Sequence, residues 1–278
     1  MRSVACQNDY SEVKHGIDLL KEQVKNNRDL LNSIFKEEVV SAAIETFDEY
    51  VHRLKHDTFI CCVSEQQTDE SLIGRLSMWR AYGQNSGVAI VLKAKPFLTG
   101  DIESDLQMLP VIYKDDYKFE KFFKESLNVW KKKKCTIQHI HRAVRCGGLM
   151  KFFMALVSCT KHPAFAEEKE WRLIYRPFEY EHEEPYENEA RDLLATPPDY
   201  MTAGVETIRG VPQLIYKFCL KKFFKMETGY LNELIDRVII GPTKFPIQIK
   251  DALVHELTLK GVKNASNMVT ISDIPLRE

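Results

Sequence analysis

The chain has 278 residues, of which 44% are hydrophobic and 28% are charged, and its formal net charge is -1. This composition is that of a folded globular protein and excludes an intrinsically disordered chain. The near-neutral balance provides no overall field that would draw the protein to DNA, RNA or an anionic membrane surface. We therefore expect no membrane partner, and nucleic acid is the least favoured partner.

The absence of targeting signals and the cysteine usage both predict a cytoplasmic protein. No run of about 18 apolar residues is present, so no transmembrane helix is expected. The opening residues, MRSVACQNDYSE, lack the apolar core of a secretion signal. The seven cysteines are an odd number, which is typical of reduced thiols, and none has the C-x-x-C spacing of a zinc site. We expect no bound metal.

The first part of the chain is predicted to be helical. Asp9 and Glu12 have the spacing of a capping box. The apolar residues that follow recur every three to four positions, at Val13, Ile17, Leu20 and Val24. The same period continues from about Asp29 to Leu54, which predicts a second and longer helix. Residues 1–56 are thus expected to form a helical N-terminal subregion.

Beyond this subregion, short apolar runs with β propensity alternate irregularly with helical patterns. Strands are predicted at residues 58–63, 88–92, 108–113, 171–175, 213–220, 237–240 and 268–271. Helices are predicted at 69–82, over most of 116–161 with a break near Cys135, and at 247–259 before Gly261. This order predicts one α+β domain over residues 1–278, with a mixed sheet of about six to seven short strands and several helices.

Two further stretches are distinguished by their charge. Residues 178–204 are acidic and contain prolines, which predicts a surface loop or lid. Lysines are concentrated at Lys131–Lys134 and, between phenylalanines, over residues 217–225. Lysines with interspersed aromatic residues suit single-stranded nucleic acid. A solvated helix end is the favoured interpretation, since the net charge of the chain is near zero.

Trp79 and Tyr82 are three positions apart on a predicted helix and therefore share one face. Together they would form a stacking wall for a flat ligand such as a nucleobase or nicotinamide. The alternative is that both rings pack into the core, which aromatic residues at helical spacing do more often.

The run Glu167–Arg172 leads directly into an apolar strand. Strand alternation would place Glu168, Glu170 and Arg172 on one face if the strand begins that early. Two adjacent carboxylates push their pKa values apart, which is one route to an acid/base pair. A nearby guanidinium would hold a carboxylate or phosphate through two hydrogen bonds. The alternative is a solvated strand end with a surface ion pair.

In chain order these motifs resemble a bacterial family known as domain of unknown function 2971. The resemblance covers nearly the whole chain. It rests on Asn8-Asp9-x-x-Glu12, a strand ending near Ser64, Asp69 with Met78-Trp79-x-x-Tyr82, Gly87, Glu168-x-Glu170-Trp171-Arg172, Arg209, Ile240-Gly241-Pro242 and Ser272-x-Ile274-Pro275-x-Arg277. Family members usually begin with a strand some tens of residues before the Asn-Asp motif. This chain starts almost on that motif, so we expect a truncated or a shortened member.

The layout of the family also resembles, more distantly, that of ADP-ribosyltransferases. Those enzymes carry Arg or His on a first strand, Ser or Tyr on a second, and Glu, often as Glu-x-Glu, on a later one. The resemblance implies a catalytic Glu170, with Glu168 beside it, and NAD as a substrate rather than a cofactor. The Arg or His that those enzymes carry on the first strand has no convincing match in this sequence. The implied ligand-binding residues are Ser64, Asp69, Trp79, Tyr82, Trp171, Arg172, Arg209 and Arg277.

Three functions fit these residues. The first is an NAD-using ADP-ribosyltransferase-like or glycohydrolase effector in toxin function or phage defence, with Glu170 on a strand beside Tyr82 or Trp79. The second is a non-catalytic module that binds a small nucleotide or a protein partner. The third, ranked last, is a nucleic-acid-acting protein that uses the lysine clusters. The sequence leaves the substrate and the oligomeric state open.

Overall fold

The computed structural model describes residues 1–6, 11–70, 72–83, 87–99, 106–177, 196–227 and 229–275. Their contacts divide the chain into two compact units, each assembled from two stretches of sequence. Unit 1 comprises Met1–Val63 and Ser104–Lys217, and unit 2 comprises Ser64–Glu103 and Phe218–Glu278. The α+β class predicted from the sequence is confirmed. That both units form a single domain remains a prediction.

The helices and strands follow one another irregularly along the chain. The helices are α1 (Ser11–Asn26), α2 (Arg28–Phe35), α3 (Glu37–His56), α4 (Leu76–Met78), α5 (Lys95–Thr99), α6 (Asp116–Lys132), α7 (Lys134–His139), α8 (Arg142–Cys159), α9 (Leu220–Phe223), α10 (Tyr230–Leu234), α11 (Pro246–Leu259) and α12 (Ala265–Met268). The strands are β1 (Arg2–Ser3), β2 (Phe59–Ser64), β3 (Val88–Leu92), β4 (Leu106–Pro110), β5 (Ile112–Tyr113), β6 (Thr160–Lys161), β7 (Glu170–Tyr175), β8 (Met201–Ile208), β9 (Val211–Phe218), β10 (Ile235–Ile240) and β11 (Val269–Ile271). None of the helices in these ranges is long and apolar enough to cross a membrane.

Unit 1 has a helical core, to which α1, α2, α3, α6 and α8 contribute buried apolar residues. The most completely buried include Leu31, Ile34, Phe119, Phe123 and Leu127. The second helix predicted from the sequence is divided into α2 and α3 at Lys36. A φ of 73° at this residue is left-handed and interrupts a right-handed helix.

The main sheet lies in unit 1 and has six strands in the order β4-β7-β2-β1-β9-β8, in agreement with the predicted strand number. β1 is antiparallel to both of its neighbours, with Arg2 opposite Ile60 of β2 and opposite Ile215 of β9. The sequence analysis does not predict β1, because two residues are too few to show an alternating pattern. Ile60 and Ile174 belong to the helical core, so the helices cover one face of this sheet.

Unit 2 contains a three-stranded sheet in the order β11-β10-β3. β10 is parallel to β11 and antiparallel to β3. Apolar residues of α11, including Leu253 and Leu257, pack against buried Val238 and Ile240 of β10. Gly261, at a φ of 78°, follows α11 and donates its N–H to the Thr258 carbonyl, as predicted for a helix end.

The helix predicted at residues 69–82 is shorter and less regular than expected. A 3-10 turn spans Thr68–Glu70, α4 begins only at Leu76, and the chain continues as a π-helix over Trp79–Gly83. The interruption lies at Gly74, whose φ of 73° is outside the helical region.

The stretch predicted as a surface loop or lid, residues 178–204, is only partly described. Residues 178–195 lie outside the described part of the chain. At its other end the prediction is wrong, because β8 already begins at Met201. β8 pairs with β9 through a two-residue turn at Arg209 and Gly210, whose φ values of 52° and 80° are typical of a type I′ hairpin turn.

Candidate functional site

A buried group of charged side chains lies at the start of β7 in unit 1. We define the Glu170 cluster as Lys161, Glu168, Glu170 and Arg172. Glu170 is 6% exposed and Arg172 is 3% exposed, so neither is a solvated surface charge. The alternative of a surface Glu–Arg pair is therefore wrong for these two residues.

Three different elements supply the Glu170 cluster. Glu170 and Arg172 lie two positions apart on β7 and share one face, as the alternation predicts. Glu168 does not lie on the strand, because it ends the 3-10 helix Pro163–Glu168 and Lys169 follows at a left-handed φ of 45°. Lys161, at the end of β6, connects the two carboxylates. Its Nζ is 2.6 Å from Glu168 Oε2 and 3.3 Å from Glu170 Oε2.

Arg172 holds Glu170 through two hydrogen bonds. Its Nε lies 2.7 Å from Glu170 Oε1, and its Nη2 lies 3.4 Å from Glu170 Oε2. The guanidinium also donates to the Ser158 carbonyl at 2.6 Å, while Arg176 donates to the Ser158 hydroxyl at 2.7 Å. Arg172 on β7 and Arg176 directly after it thus anchor the strand to the end of α8, and these contacts fix the orientation of Glu170.

The Glu170 carboxylate is ionised at neutral pH. Burial alone would raise its pKa, but the hydrogen bonds and the charge of Arg172, with contributions from Cys62 and Lys161, outweigh burial and lower the pKa to about 2. Glu170 is therefore not the protonated member of an acid/base pair. A carboxylate in this state provides a fixed negative charge.

Two residues that the sequence analysis did not single out as site residues also contact Glu170. The Cys62 thiol donates a hydrogen bond to its carboxylate. Burial, followed by the charge and the hydrogen bond of Glu170, raises the pKa of this thiol well above its usual range. The Cys62 residue is nevertheless exposed to solvent. The Tyr113 hydroxyl accepts from the Glu170 backbone N–H at 2.8 Å, and burial raises the pKa of Tyr113 to about 12.

In unit 2, Trp79 is a packed residue. Its indole N–H donates to the Ile73 carbonyl at 2.9 Å, and the Ser272 hydroxyl donates to the same oxygen at 2.8 Å. A Cβ added at Gly74 or at Gly241 would lie only 2.7 Å from the indole ring. These contacts support the core interpretation for Trp79.

Tyr82, Ser64 and Asp69 have exposed side chains in unit 2. Tyr82 is 51% exposed, so the two aromatic residues do not share one environment. Ser64 ends β2, and its hydroxyl accepts a hydrogen bond from Arg75 at 3.2 Å. Asp69 lies in a 3-10 turn that Arg75 stabilises by a paired contact with Glu70, at 2.6 and 2.8 Å.

The remaining predicted ligand-binding residues lie in different places. Trp171 is half-buried on β7, opposite Pro110 of β4. Arg209 is exposed in the turn between β8 and β9. Arg277 lies outside the described residues. Unit 1 thus brings Glu168, Glu170 and Arg172 together through Lys161.

Within the described ranges, no three His, Cys, Asp or Glu side chains are grouped as metal ligands would be. The cluster has two carboxylates and two cations, and both carboxylates are engaged with the cations. Such an arrangement suits electrostatic stabilisation or a fixed structural network rather than proton transfer.

No curated protein and no solved structure matches the chain. One family model does match, that of "Protein of unknown function (DUF2971)", over residues 78–173. The matched stretch contains both Trp79 and the motif Glu168-x-Glu170-Trp171-Arg172. Residues 78–173 therefore carry the signature of this family of unknown function, and over this stretch the family resemblance that the sequence motifs predict is confirmed. The motifs outside residues 78–173 lie beyond the match.

Proposed function

We propose that the chain uses NAD as a substrate, as an ADP-ribosyltransferase-like enzyme or a glycohydrolase, with Glu170 as its catalytic carboxylate. The observation that supports this proposal is the ionised Glu170, held at the start of a strand by Arg172 and Lys161. A ribosyl centre becomes positively charged as nicotinamide leaves, and a fixed negative charge stabilises that transition state more than the ground state.

The proposed reaction needs no oxidant or reductant. The bond between the nicotinamide nitrogen and the ribose C1 carbon breaks, and nicotinamide leaves with the electron pair. A water molecule or an acceptor nucleophile then forms a bond to C1 and loses a proton. The products are nicotinamide, a proton, and either ADP-ribose or an ADP-ribosylated acceptor. Consumption of NAD by this reaction would account for a toxin-like or phage-defence role.

The strand order also supports the proposal. β7, β2 and β1 lie side by side in unit 1, with Glu170 on β7 and Arg2 on β1. An Arg on a first strand and a Glu on a later one correspond to the layout that the resemblance to ADP-ribosyltransferases implies. Arg2 is therefore a candidate for the first-strand residue that the sequence analysis did not match. Its side chain donates to Gln213 Oε1 at 3.1 Å and to the Cys6 carbonyl at 2.6 Å.

Arg2 is on the same sheet face as Cys62. Residues directly opposite on paired strands have side chains on one face, which places Arg2 with Ile60. Cys62 is two residues further along β2 and shares that face, and its thiol contacts Glu170. Arg2, Cys62 and Glu170 thus belong to one face of the main sheet.

A second candidate function is a non-catalytic ligand- or protein-binding module. It is favoured by the same cluster, since two cations already balance Glu168 and Glu170, and the Glu170 side chain is only 7% exposed. A network of this kind can serve structure alone. On this alternative the chain binds a nucleotide or a protein partner without turnover.

The deciding experiment incubates the purified protein with NAD and quantifies nicotinamide by chromatography. We expect release from the wild type and a loss of at least about 100-fold in Glu170→Gln, the size of effect typical for removing one transition-state charge partner. The matched control is Glu206→Gln, which changes an exposed carboxylate on β8 and should retain the wild-type rate.

The outcomes separate the two functions. Undiminished release in a folded Glu170→Gln variant would exclude Glu170 as the catalytic carboxylate. No release from the folded wild type would reject the enzyme, and calorimetric binding of intact NAD would then support the binding module. If Glu170→Gln does not fold, Glu170→Asp keeps the charge but withdraws the carboxylate by one methylene, and the same loss of release is expected.

A further inference from the structure

The charges of unit 1 are unevenly distributed, although the whole chain is nearly neutral. No Asp or Glu occurs between Glu125 and Glu167. The same stretch carries the exposed side chains of Lys131–Lys134, Arg142 and Lys151, which lie where α6 joins α7 and on α8. We define these six residues as the α6–α8 basic surface. A net charge near zero for the chain does not exclude a strong local field at such a surface.

A contact between two aromatic rings makes the end of α6 a neighbour of α8. The Trp130 ring packs edge to face against the Phe152 ring, with centroids 4.5 Å apart. Lys131 directly follows Trp130, and Lys151 directly precedes Phe152. The lysines at the end of α6 and the lysine of α8 therefore lie on adjacent parts of unit 1.

The start of α8 is held in the same region through Phe35. Arg145 is 8% exposed, and its Nη1 donates to the Phe35 carbonyl at 2.7 Å. The Phe35 ring in turn packs against Trp130, with centroids 5.2 Å apart. Arg142 is three residues before Arg145, so it lies in the same region as Lys131–Lys134.

The six cations have no counter-charge within the part of the chain that the structure describes. None of them takes part in a side-chain hydrogen bond or an ion pair there. Other exposed lysines do, such as Lys21 with Asp48 and Lys217 with Glu206. Like charges that are close together repel one another and attract dissolved anions. A polyanion that displaces those anions gains binding free energy from their release.

The side chains of this surface fit phosphate groups better than bases. Trp130 packs against both Phe35 and Phe152, whereas proteins that bind single strands stack bases on accessible rings. A Cβ added at Gly147 or Gly148 of α8 would have no atom within 4 Å, so a ligand can come close to the helix backbone there. A duplex carries one phosphate charge per about 1.7 Å of its axis, twice the density of one strand.

An anionic membrane is the less suitable polyanion. The large apolar side chains of α8 that could insert into lipid, including Leu149, Phe153 and Leu156, are buried in the core of unit 1. Ile140 and Val144 are 41% and 63% exposed, but two aliphatic side chains provide little apolar area for insertion.

We propose that the α6–α8 basic surface binds the phosphate backbone of double-helical nucleic acid, without regard to base sequence. This surface is separate from the Glu170 cluster. Arg142 begins α8, and Ser158, which accepts a hydrogen bond from Arg172, lies near its other end. The 18 residues of this helix span about 27 Å. Binding of nucleic acid therefore does not depend on the proposed reaction with NAD.

Fluorescence anisotropy with short labelled duplexes of unrelated sequence, in DNA and in RNA, tests the nature of the partner. At about 0.1 M salt we expect the same dissociation constant for unrelated sequences, between about 1 and 100 μM, and weaker binding as salt is added. One strand alone should bind more weakly. No binding at about 100 μM, tighter binding of the single strand, or binding to phosphatidylserine vesicles without binding to a duplex would each overturn the proposal.

Two quadruple variants with the same loss of charge test the location. The surface variant combines Lys131→Gln, Lys132→Gln, Lys133→Gln and Lys134→Gln. The matched control combines Lys217→Gln, Lys221→Gln, Lys222→Gln and Lys225→Gln, all of them exposed. We expect the surface variant to bind the duplex at least about tenfold more weakly, while the control binds like the wild type. Equal losses in the two variants would mean that overall charge, and not this surface, determines binding.

The salt dependence adds a second measurement. The slope of log affinity against log salt should fall by about 1 for each lysine that contacts a phosphate. Circular dichroism verifies folding of each variant. If the surface variant does not fold, Arg142→Gln with Lys151→Gln removes two charges of the same surface on α8 and should also weaken binding and reduce the slope. An unchanged slope in a folded variant would overturn the proposal.

Discussion

The indole ring of Trp79 occupies the space that a side chain at Gly241 would need. A Cβ at this glycine would lie 2.7 Å from the Trp79 Cε3 atom, and real Cβ atoms do not approach so closely. The backbone of Gly241 is also fixed, since its N–H donates to the Gly87 carbonyl at 2.9 Å. The motifs Met78-Trp79-x-x-Tyr82 and Ile240-Gly241-Pro242 thus meet in a single packing contact inside unit 2.

Gly241→Ala should therefore destabilise the protein. We expect a loss of about 1–3 kcal/mol in the free energy of unfolding, the usual penalty for overpacking, measured by urea denaturation. Gly147→Ala is the control, because nothing lies within 4 Å of a Cβ at this exposed position of α8. There the alanine should stabilise the helix by up to about 1 kcal/mol. A Gly241→Ala variant as stable as the wild type would show that Trp79 moves aside freely.

Arg172→Gln should destabilise unit 1 far more than a typical surface substitution. It leaves the ionised Glu170 buried with one cation fewer and removes the donor to the Ser158 carbonyl. Loss of one partner of a buried ion pair costs about 3–5 kcal/mol, which urea denaturation would detect. Lys217→Gln disrupts an exposed pair with Glu206 and should cost less than about 1 kcal/mol. Similar losses in both variants would contradict a structural role for the buried pair.

The pH dependence of stability follows from the lowered pKa of Glu170. In the folded chain this pKa is about 2, compared with the usual 4.5, so the unfolded chain binds more protons between these values. The contribution of ionised Glu170 to the free energy of unfolding is complete above about pH 4.5 and is lost as the pH falls towards 2. Urea denaturation at a series of pH values should show a shallower loss of stability in Glu170→Gln than in the wild type. Parallel curves for the two proteins would mean that the neighbouring residues do not lower the pKa of Glu170 in the folded chain.

Elements defined by local pattern could be predicted from the sequence, whereas contacts between distant strands could not. The spacing of apolar side chains predicts helix α11, and the glycine at position 261 predicts where it ends. The structure agrees with both predictions. The contact of Cys62 with Glu170 depends on β2 lying next to β7, which no local pattern encodes. The position of Lys161 between two carboxylates likewise depends on the 3-10 turn that precedes β7.

The turn between β8 and β9 offers a test of the role predicted for Arg209. Its φ of 52° is left-handed, a conformation that asparagine adopts more readily than arginine. Arg209→Asn should therefore raise the free energy of unfolding by up to about 1 kcal/mol, as thermal or urea denaturation would show. If Arg209 also binds the ligand, the same variant should weaken NAD binding. A stabilised variant with unchanged NAD affinity would reject that binding role.

The reactivity of Cys62 reports directly on its contact with Glu170. Burial raises the pKa of this thiol, and the charge and hydrogen bond of Glu170 raise it further, so little thiolate is present at neutral pH. In a Cys61→Ser background, Glu170→Gln should lower the pKa of Cys62 and speed its alkylation by iodoacetamide severalfold, as peptide mass spectrometry would measure. Cys135, exposed on α7, is an internal control whose rate should not change. An unchanged Cys62 rate would contradict the contact. Alkylation of Cys159, which is buried in the core of unit 1, would instead indicate general loosening of the unit.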